Sequence, residues 1–319
     1  MLVLVAYAGV QGANLQSLFG VIVPYAAGAI FILGLIYRVV DWARSPVPFR
    51  IPTTGGQGFS LPWVKQAKLD NPSTTAGVIG RMALEVLLFR SLFRNTKTDL
   101  REGIRVTHTS AKWLWLAGLA FHYSFFIIFI RHFRLFVEPV PFFIRTLEFF
   151  DGFFQVGVPG VYMTDALIVA AVSYLLLRRV AIPQVRYISL ASDFFPLFLI
   201  LGVAISGIFM RYFTKVDITS VKAFIVGLAT FHPVIPPNIG VVFYVHLFLV
   251  SMLFAYFPFS KLMHMAGVFL SPTRNLANNN RMVRHVNPWD YPVHVHTYDE
   301  YEEEFREKMK KAGIPVEKE

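Results

Sequence analysis

Residues 245–264 read VHLFLVSMLFAYFPFSKLMH, a long apolar run with a histidine near each end, His246 and His264. A second run, residues 112–136, reads KWLWLAGLAFHYSFFIIFIRHFRLF and holds His122 and His132. Each run is long enough to cross a membrane as a helix, which takes about 20 mostly apolar residues. Two membrane-length segments with two histidines each are the pattern from which we predict the fold and the chemistry of this chain.

The composition is that of an integral membrane protein. Of 319 residues, 55% are hydrophobic and 16% are charged, whereas an average soluble domain is about 25% charged. The net charge of +10 is explained by Lys and Arg in cytoplasmic loops, and the sequence contains no nucleic-acid motif or phosphate-binding glycine loop. The chain has no cysteine, so it cannot hold disulfides, cysteine-bound iron–sulfur clusters or covalently attached haem. Any iron–sulfur cluster must belong to a partner.

Hydropathy predicts an all-α bundle of five transmembrane helices. The first span follows an uncharged N-terminus without the basic start of a signal peptide, so we expect it to be retained. Residues 1–17 either extend this first helix or lie in the membrane interface. The five predicted spans are Leu18–Tyr37, Lys112–Phe136, Gly157–Leu177, Tyr187–Met210 and Gly240–Ser260.

The chain divides into four regions. Residues 1–43 form the N-terminal region with the first span, and residues 44–111 form a proline-rich basic loop. Within this loop, Val78–Phe93 is too short and too charged to span and is predicted to lie on the membrane surface as a helix. Residues 112–264 carry the other four spans, separated by loops at 136–157 and 215–238. Residues 265–319 form a polar tail in which Tyr301–Lys311 is predicted to be helical.

Basic residues predict the orientation in the membrane. Residues 42–112 contain eleven Lys and Arg and residues 261–319 contain nine, whereas the loops of the opposite face contain six. Because Lys and Arg accumulate on the cytoplasmic side, we expect a multi-pass protein of the cytoplasmic (inner) membrane with the N-terminus outside and the tail in the cytoplasm.

The spacing of the four histidines predicts two pairs. Spans two and five run in opposite directions, so His122 lies opposite His264 near the cytoplasmic side and His132 lies opposite His246 near the outer side. Ten residues separate the first two histidines, a rise of about 15 Å, and eighteen separate the other two, about 27 Å. The two rises differ, and we expect Pro258 to bend span five and bring them into agreement.

Two imidazoles facing each other inside a membrane are the ligands that b-type haem iron requires. Each histidine taken alone could merely bond a backbone carbonyl inside the bundle. Four of them, two on each helix and pairable across the bilayer, favour two bound haems because ionisable residues inside membranes are rare and usually functional. Two rival interpretations stay open: a haem-free transporter that uses these histidines as a proton relay, and an anchor whose haems are only structural.

The segment Phe257-Pro258-Phe259-Ser260-Lys261-Leu262-Met263-His264, with His246 eighteen residues earlier, resembles the last membrane helix of the respiratory nitrate reductase gamma subunit family. The ten-residue spacing of His122 and His132 is similar to that family's second helix, and the resemblance covers about Lys112 to Pro272. It implies a five-span dihaem cytochrome b that oxidises quinol. It also implies that His122 and His264 bind the inner haem and that His132 and His246 bind the outer one.

The extensions of the chain resemble one branch of this family, the DsrM-type (HmeC-type) membrane cytochrome b subunits of the sulfite-reduction-associated Dsr complexes. Asn287-Pro288-Trp289-Asp290, Tyr298–Lys311 and Ala312-Gly313-Ile314-Pro315 carry this resemblance. It implies sulfur-compound (sulfate) respiration, with menaquinol or menaquinone as the substrate near the outer haem. It also implies a cytoplasmic iron–sulfur partner of the heterodisulfide-reductase type and further membrane-complex subunits. The alternative is a nitrate reductase gamma subunit or another quinol-linked cytochrome b anchor.

Three further sets of residues are functional candidates. Asp165, about 20 Å from the inner end of span three, either accepts a proton from quinol or is a satisfied polar group between helices. Arg131, Arg134 and Arg211 are candidates for binding haem propionates, since arginine pairs well with carboxylates, although they could instead extend to outer lipid headgroups. Asp193 is predicted to cap a helix or pair at the inner interface. His294 and His296 are a weak two-ligand metal signal.

Overall fold

The structure is a computed structural model that describes residues 1–45, 65–101, 105–153, 160–279 and 294–318. The chain is mostly helical, as predicted. The helices are α1 (Leu2–Tyr7), α2 (Val23–Ala43), α3 (Thr75–Leu88), α4 (Arg90–Arg94), α5 (Lys112–His132), α6 (Phe142–Phe153), α7 (Met163–Ala181), α8 (Pro183–Ile188), α9 (Ala191–Phe209), α10 (Ile218–Ala229), α11 (Val241–Tyr256), α12 (His264–Leu270), α13 (Pro272–Asn275) and α14 (Tyr298–Lys311). The strands are β1 (Thr96–Arg101) and β2 (Arg105–Ser110). Short π-helical stretches lie at Ala8–Gly12, Leu18–Ile22 and Met210–Thr214.

Four helical stretches of the described chain are long and apolar enough to cross a membrane: Leu18–Ala43, Lys112–Leu135, Ala191–Thr214 and Val241–Phe259. They correspond to the predicted spans one, two, four and five. The prediction started span four too early at Tyr187, because the chain turns at Ser189 and Leu190, between α8 and α9.

The predicted third span corresponds to α7. This helix has 19 residues, with Asp165 in its first turn and Arg178 and Arg179 in its last. These three charges make α7 less apolar than the four long stretches, and Gly157, where the span was predicted to begin, lies outside the described residues. α7 packs against both α5 and α9 within the bundle. A fifth crossing of the membrane by α7 stays a prediction.

The long helices form a series in which each packs against the next: α5 against α7, α7 against α9, α9 against α11, and α11 against α2. The main apolar core surrounds α11, where the side chains of Tyr244, Phe248 and Leu249 are buried. Phe224 of α10 is also fully buried in this core. α7 and α9 thus lie between α5 and α11, the two helices that carry His122, His132 and His246, in this series.

Residues 1–17 form an element of their own. α1 and its π-helical extension pack against α11, with Ala6 and Val10 buried in the main core. The chain then reverses at Asn14, whose φ of 52° lies in the left-handed region. The N-terminal segment is therefore a separate short helix and not a continuation of the first span.

The last span is interrupted at the proline, as expected. α11 ends at Tyr256, and Pro258 lies in the 3-10 turn Phe257–Phe259. Ser260 is extended, and its Oγ accepts a hydrogen bond from the backbone N–H of Leu262 at 3.2 Å. A proline has no N–H to donate and its ring blocks the preceding helical turn. His264 therefore begins a new helix, α12, and is not the last residue of α11.

Both loops predicted on the opposite face from the tail contain helices, so the prediction of irregular structure there is wrong. α6 occupies most of 136–157 and buries Ile144 and Asp151. α10 occupies the middle of 215–238 and is capped by Asp217, whose carboxylate accepts hydrogen bonds from the backbone N–H groups of Thr219 and Ser220. Prolines lie just outside both helices and made these segments look irregular in the sequence.

The predicted surface helix at 78–93 is two helices. α3 and α4 are separated by Phe89, whose φ of 50° lies in the left-handed region. β1 and β2, which follow, form an antiparallel hairpin that the all-α prediction did not include. Residues 46–64 and 102–104 of this region lie outside the described residues.

A charged cluster joins the start of this region to α4. Asp70 accepts hydrogen bonds from Arg90, at 2.5 Å, and from Arg94. The Arg90 guanidinium, followed by that of Arg94, lowers the pKa of Asp70 to about 2. The stabilisation that this carboxylate contributes is therefore present above its usual pKa and is lost only as the pH falls towards 2.

The predicted helix in the tail is present and begins three residues earlier, at Tyr298. Thr297 caps it in a reciprocal arrangement with Glu300. Glu302 is buried, and its carboxylate accepts hydrogen bonds from the backbone N–H groups of Glu317 and Lys318, at 2.7 and 2.9 Å. The Asn287–Asp290 motif lies outside the described residues.

Gly34 of α2 tests the packing of the interrupted last span. A Cβ at Gly34 would lie 2.7 Å from Cβ of Pro258, whereas a Cβ at Gly28 of the same helix would meet nothing within 4 Å. Alanine normally stabilises a helix by up to about 1 kcal/mol relative to glycine, but overpacking costs about 1–3 kcal/mol. We expect Gly34→Ala to lower the thermal midpoint in detergent and Gly28→Ala to leave it unchanged or raise it. Equal midpoints for the two variants would contradict this packing.

Candidate functional site

The structure brings the four predicted histidines together in the two predicted pairs. The ring centroids of His122 and His264 lie 5.9 Å apart with the rings nearly perpendicular, at 81°. Those of His132 and His246 lie 6.4 Å apart with the rings nearly parallel, at 12°. One pair therefore lies at each end of the gap between α5 and the last span.

Three of the four imidazoles are oriented by backbone carbonyls. The Nδ1 atoms of His122, His132 and His264 lie 2.7, 2.7 and 2.8 Å from the carbonyl oxygens of Gly118, Ile128 and Lys261, respectively. A carbonyl oxygen can only accept, so Nδ1 carries the proton in each of these rings. The proton-free Nε2 is then available as a ligand atom, because the hydrogen bond at one ring nitrogen determines which nitrogen can bind a metal.

His246 is oriented by α9. Its Nδ1 lies 3.0 Å from the hydroxyl of Ser206, which donates its own proton to the carbonyl of Val203, also at 3.0 Å. The hydroxyl therefore accepts from Nδ1, and Nε2 of His246 is again left free. Gly207 allows this approach, because a Cβ there would lie 3.1 Å from Cε1 of His246.

The geometry of both pairs fits a metal held between two imidazoles. An imidazole nitrogen binds a first-row metal at about 2 Å, so the centroids of two rings on opposite sides of one metal lie about 6 Å apart. Both observed separations agree with this value. The side chains of His122, His132 and His264 are exposed, so protein atoms do not enclose these three rings completely.

The His122 pair is contacted by a residue that the sequence did not single out. The ring of Phe89, at the break between α3 and α4, lies 4.9 Å from the ring of His122 in an edge-to-face contact. α5 anchors this break: Trp115 Nε1 donates to the carbonyl of Leu88 at 2.7 Å, and the Tyr123 hydroxyl donates to that of Leu87 at 3.0 Å. These carbonyls at the end of α3 have no helical partner of their own. The loop region is thereby fixed against the first pair.

Arg131, next to His132 in the chain, lies in a buried ion cluster. Its Nη1 donates to Asp151 at 2.5 Å and to the hydroxyl of Thr164 at 3.1 Å, and it lies 3.5 Å from Asp165. Asp151 also accepts hydrogen bonds from the backbone N–H and the hydroxyl of Thr164, at 2.9 and 2.6 Å. All four side chains are buried. Asp151 belongs to α6, which was predicted to be loop, so no sequence signal pointed to it.

Asp165 also accepts a hydrogen bond from a tyrosine, Tyr212. The hydroxyl of Tyr212 donates to Asp165 at 2.6 Å and accepts from the backbone N–H of Tyr162 at 3.0 Å. The guanidinium carbons of Arg131 and Arg211 lie 4.1 and 4.4 Å from the centroid of the Tyr162 ring. Two carboxylates, two guanidiniums and two tyrosines thus meet beside the His132 pair.

The remaining sequence candidates have partners within the protein. Arg134 donates to Glu148 at 2.8 Å. Asp193, as predicted, both caps a helix and pairs at its end: it accepts from the backbone N–H of Leu190 at 3.0 Å and from Lys261 at 2.6 Å. In the tail, ligand atoms of His294, His296 and Glu300 lie within 4.8 Å of one another, all on exposed side chains.

Comparison with known proteins shows the family of the chain. The profile of the family described as "Nitrate reductase gamma subunit" matches residues 77–286, which include all four histidines. The chain is 52% identical over 280 residues to the "Hdr-like menaquinol oxidoreductase cytochrome b-like subunit" of Archaeoglobus fulgidus, covering 86% of this chain and 83% of that protein. It is 45% identical over 274 residues to the subunit of the same name from Archaeoglobus profundus, covering 84% and 81%.

The Arg131–Asp151 pair is buried, whereas the Arg134–Glu148 pair is more exposed. Removing the negative charge from the two pairs should therefore lower the free energy of unfolding by different amounts. Asp151→Asn removes the charge closest to buried Arg131, and breaking a buried ion pair costs about 3–5 kcal/mol. Glu148→Gln removes the partner of the more exposed Arg134, a change worth about 0–1 kcal/mol. We expect a large drop in the thermal midpoint in detergent for Asp151→Asn and almost none for Glu148→Gln. Similar midpoints would contradict the central role of the buried cluster.

Proposed function

The chain belongs to the nitrate reductase gamma subunit family, and on that premise we propose that it is a membrane cytochrome b with two haems b. In this proposal it passes electrons from menaquinol to a cytoplasmic iron–sulfur partner. The observation that carries the proposal is the geometry of the two histidine pairs, which have about 6 Å between ring centroids and a free Nε2 on every ring. The names of the two Archaeoglobus relatives, which contain both "menaquinol oxidoreductase" and "cytochrome b-like", support the same chemistry.

The four histidines are the proposed axial ligands of the iron atoms. His122 and His264 bind the inner haem, and His132 and His246 bind the outer one. Haem iron with two imidazole ligands transfers single electrons and keeps no open position for oxygen. The chain contributes the orientation of each ring through its Nδ1 hydrogen bond, and Arg131, Arg134 and Arg211 stay candidates for binding propionates.

The proton-accepting site for menaquinol is proposed at the buried ion cluster, beside the outer pair. Oxidation of a quinol to a quinone releases two electrons and two protons. Arg131 is held tightly by Asp151, at 2.5 Å, and only loosely by Asp165, at 3.5 Å. Asp165 is therefore the carboxylate whose charge is less fully matched and that can take up a proton, with the Tyr212 hydroxyl hydrogen-bonded to it.

The proposed orientation places the N-terminus outside and the tail in the cytoplasm. α7 then supplies the fifth crossing. Protons from quinol leave on the outer side, while electrons move to the inner pair and on to the partner. The partner docks on the 44–111 region, which is rich in Lys and Arg, and on the tail, which carries both acidic and basic residues. We propose an iron–sulfur subunit of the heterodisulfide-reductase type, in keeping with the "Hdr-like" names of the relatives, within a Dsr-type complex of sulfur respiration.

The haem content and the pairing of the histidines can be measured on the purified protein. We expect purified protein to contain two haems b per chain in a pyridine haemochrome assay. His132→Ala and His246→Ala should each remove the same spectral component, because each haem iron needs both rings of its pair. Loss of different components from these two variants would contradict the pairing. Protein without any haem absorbance would instead indicate the rival function, a proton-coupled transporter.

The proposed transfer of a proton from menaquinol to Asp165 can be measured by replacing this residue. We expect Asp165→Asn to lower the rate of menaquinol-driven haem reduction at least tenfold while both haems remain bound, since an amide cannot accept the proton. General-base catalysis is typically worth 10²–10⁴-fold. Asp217→Asn is the matched control, because Asp217 is an exposed carboxylate at the same end of the bundle and asparagine caps a helix equally well. Equal rates for the two variants would exclude Asp165 as the acceptor.

A further inference from the structure

A cavity of about 450 Å³ lies beside His264, where the C-terminal end of α2 meets the interrupted last span and the start of α9. Its aromatic walls include Trp42, Tyr256 and Phe259, and Met263 and Gly267 also line it. Two cations, Arg38 and Lys261, lie at the same cavity. The cavity thus combines one of the proposed haem ligands with apolar walls and positive charge.

Among the residues that the structure describes, one of these two cations has an anionic partner and the other does not. Lys261 pairs with Asp193 at 2.6 Å. Arg38 makes no ion pair within the part of the chain that the structure describes, and its Nε is buried without a hydrogen-bond partner there. Its guanidinium carbon lies 5.8 Å from the centroid of the Trp42 ring. Buried polar groups nearly always have partners, so an unsatisfied one at a cavity points to a ligand.

The chemistry of this cavity defines the ligand that would complete it. A planar guanidinium binds a carboxylate through two parallel hydrogen bonds, and aromatic and apolar walls suit a large flat ring system. A haem carries both features, because two propionate carboxylates are attached to its apolar macrocycle. Arg131 and Arg134, by contrast, already have carboxylate partners from the protein.

We propose that Arg38 binds a propionate carboxylate of the haem held by His122 and His264. The assignment rests on the proposed function and extends it to α2, a helix outside the four-helix region that carries the histidines. A positive charge fixed close to an iron centre stabilises its reduced form relative to its oxidised form. Arg38 therefore raises the reduction potential of the inner haem, which favours electron flow from the outer pair to the inner one.

The test is an optical redox titration of the purified protein, with its two components assigned by means of His264→Ala. We expect Arg38→Gln to lower the potential of the component that His264→Ala lacks. A tenfold change in its reduction equilibrium corresponds to about 59 mV for one electron. The other component should be unchanged. Arg44→Gln is the matched control, because Arg44 follows α2 directly, is exposed and does not line the cavity.

Four outcomes separate the interpretations. Wild-type protein without haem overturns the proposed function and this inference with it. Two haems in the wild type, with Arg38→Gln titrating like Arg44→Gln, overturn this inference alone. A difference that appears in phosphatidylglycerol vesicles but not in phosphatidylcholine vesicles assigns Arg38 to a lipid phosphate and also overturns it. If Arg38→Gln does not accumulate, Arg38→Lys decides: a smaller shift in the same component supports the proposal, and no shift contradicts it.

Discussion

The constraint on which the rest of the structure depends is the orientation of four imidazole rings inside an apolar bundle. In each ring Nδ1 is held by a hydrogen bond, to a backbone carbonyl for three rings and to the Ser206 hydroxyl for His246, and an unsatisfied polar atom in such surroundings would be costly. These hydrogen bonds orient the rings of the two pairs. The packing of the helices contributes to this arrangement. α7 and α9 lie between α5 and α11 in the series of packed helices, so the histidine rings, and not the helix backbones, bring α5 close to the last span. Gly207 and Ser206 then allow the one ring without a carbonyl partner to lie against α9.

The two ends of the gap between α5 and the last span differ in how they handle charge. Beside His132 and His246, Arg131 is matched by Asp151 and Asp165, and tyrosines complete the cluster. Beside His122 and His264, an edge-to-face phenylalanine contacts one ring, and Arg38, which has no ion-pair partner among the described residues, lines the cavity next to the other. Under the proposed function, the end rich in exchangeable protons is the one for quinol oxidation, and the end with the additional positive charge is the one that receives the electrons. The asymmetry is built from α2, α6 and the Phe89 turn, all outside the histidine-bearing helices.

The sequence was sufficient for the histidine pairs and for the interruption of the last span, because helical rise, antiparallel packing and the effect of a proline are local rules. Four long apolar helices followed from composition in the same way. It was not sufficient for Asp151, since this residue reaches Arg131 from α6, a short amphipathic helix next to prolines that was predicted to be loop. Nor could it indicate that Phe89 touches His122, because that contact depends on a left-handed residue and on hydrogen bonds from Trp115 and Tyr123 over a long stretch of chain. The ligation of haem by these histidines stays a proposal.

The turn at Pro258 lies between His246 and His264 and separates the elements that place these two residues. In an unbroken helix, any change in length between His246 and His264 would rotate one ring by about 100° per residue relative to the other. Here His246 is placed by α11 and α9, while His264 is placed by Ser260, by the carbonyl of Lys261 and by the start of α12. The two histidines are thus placed by separate sets of contacts within one stretch of chain. A change in the length or bend of this short turn can therefore move His264 without rotating His246.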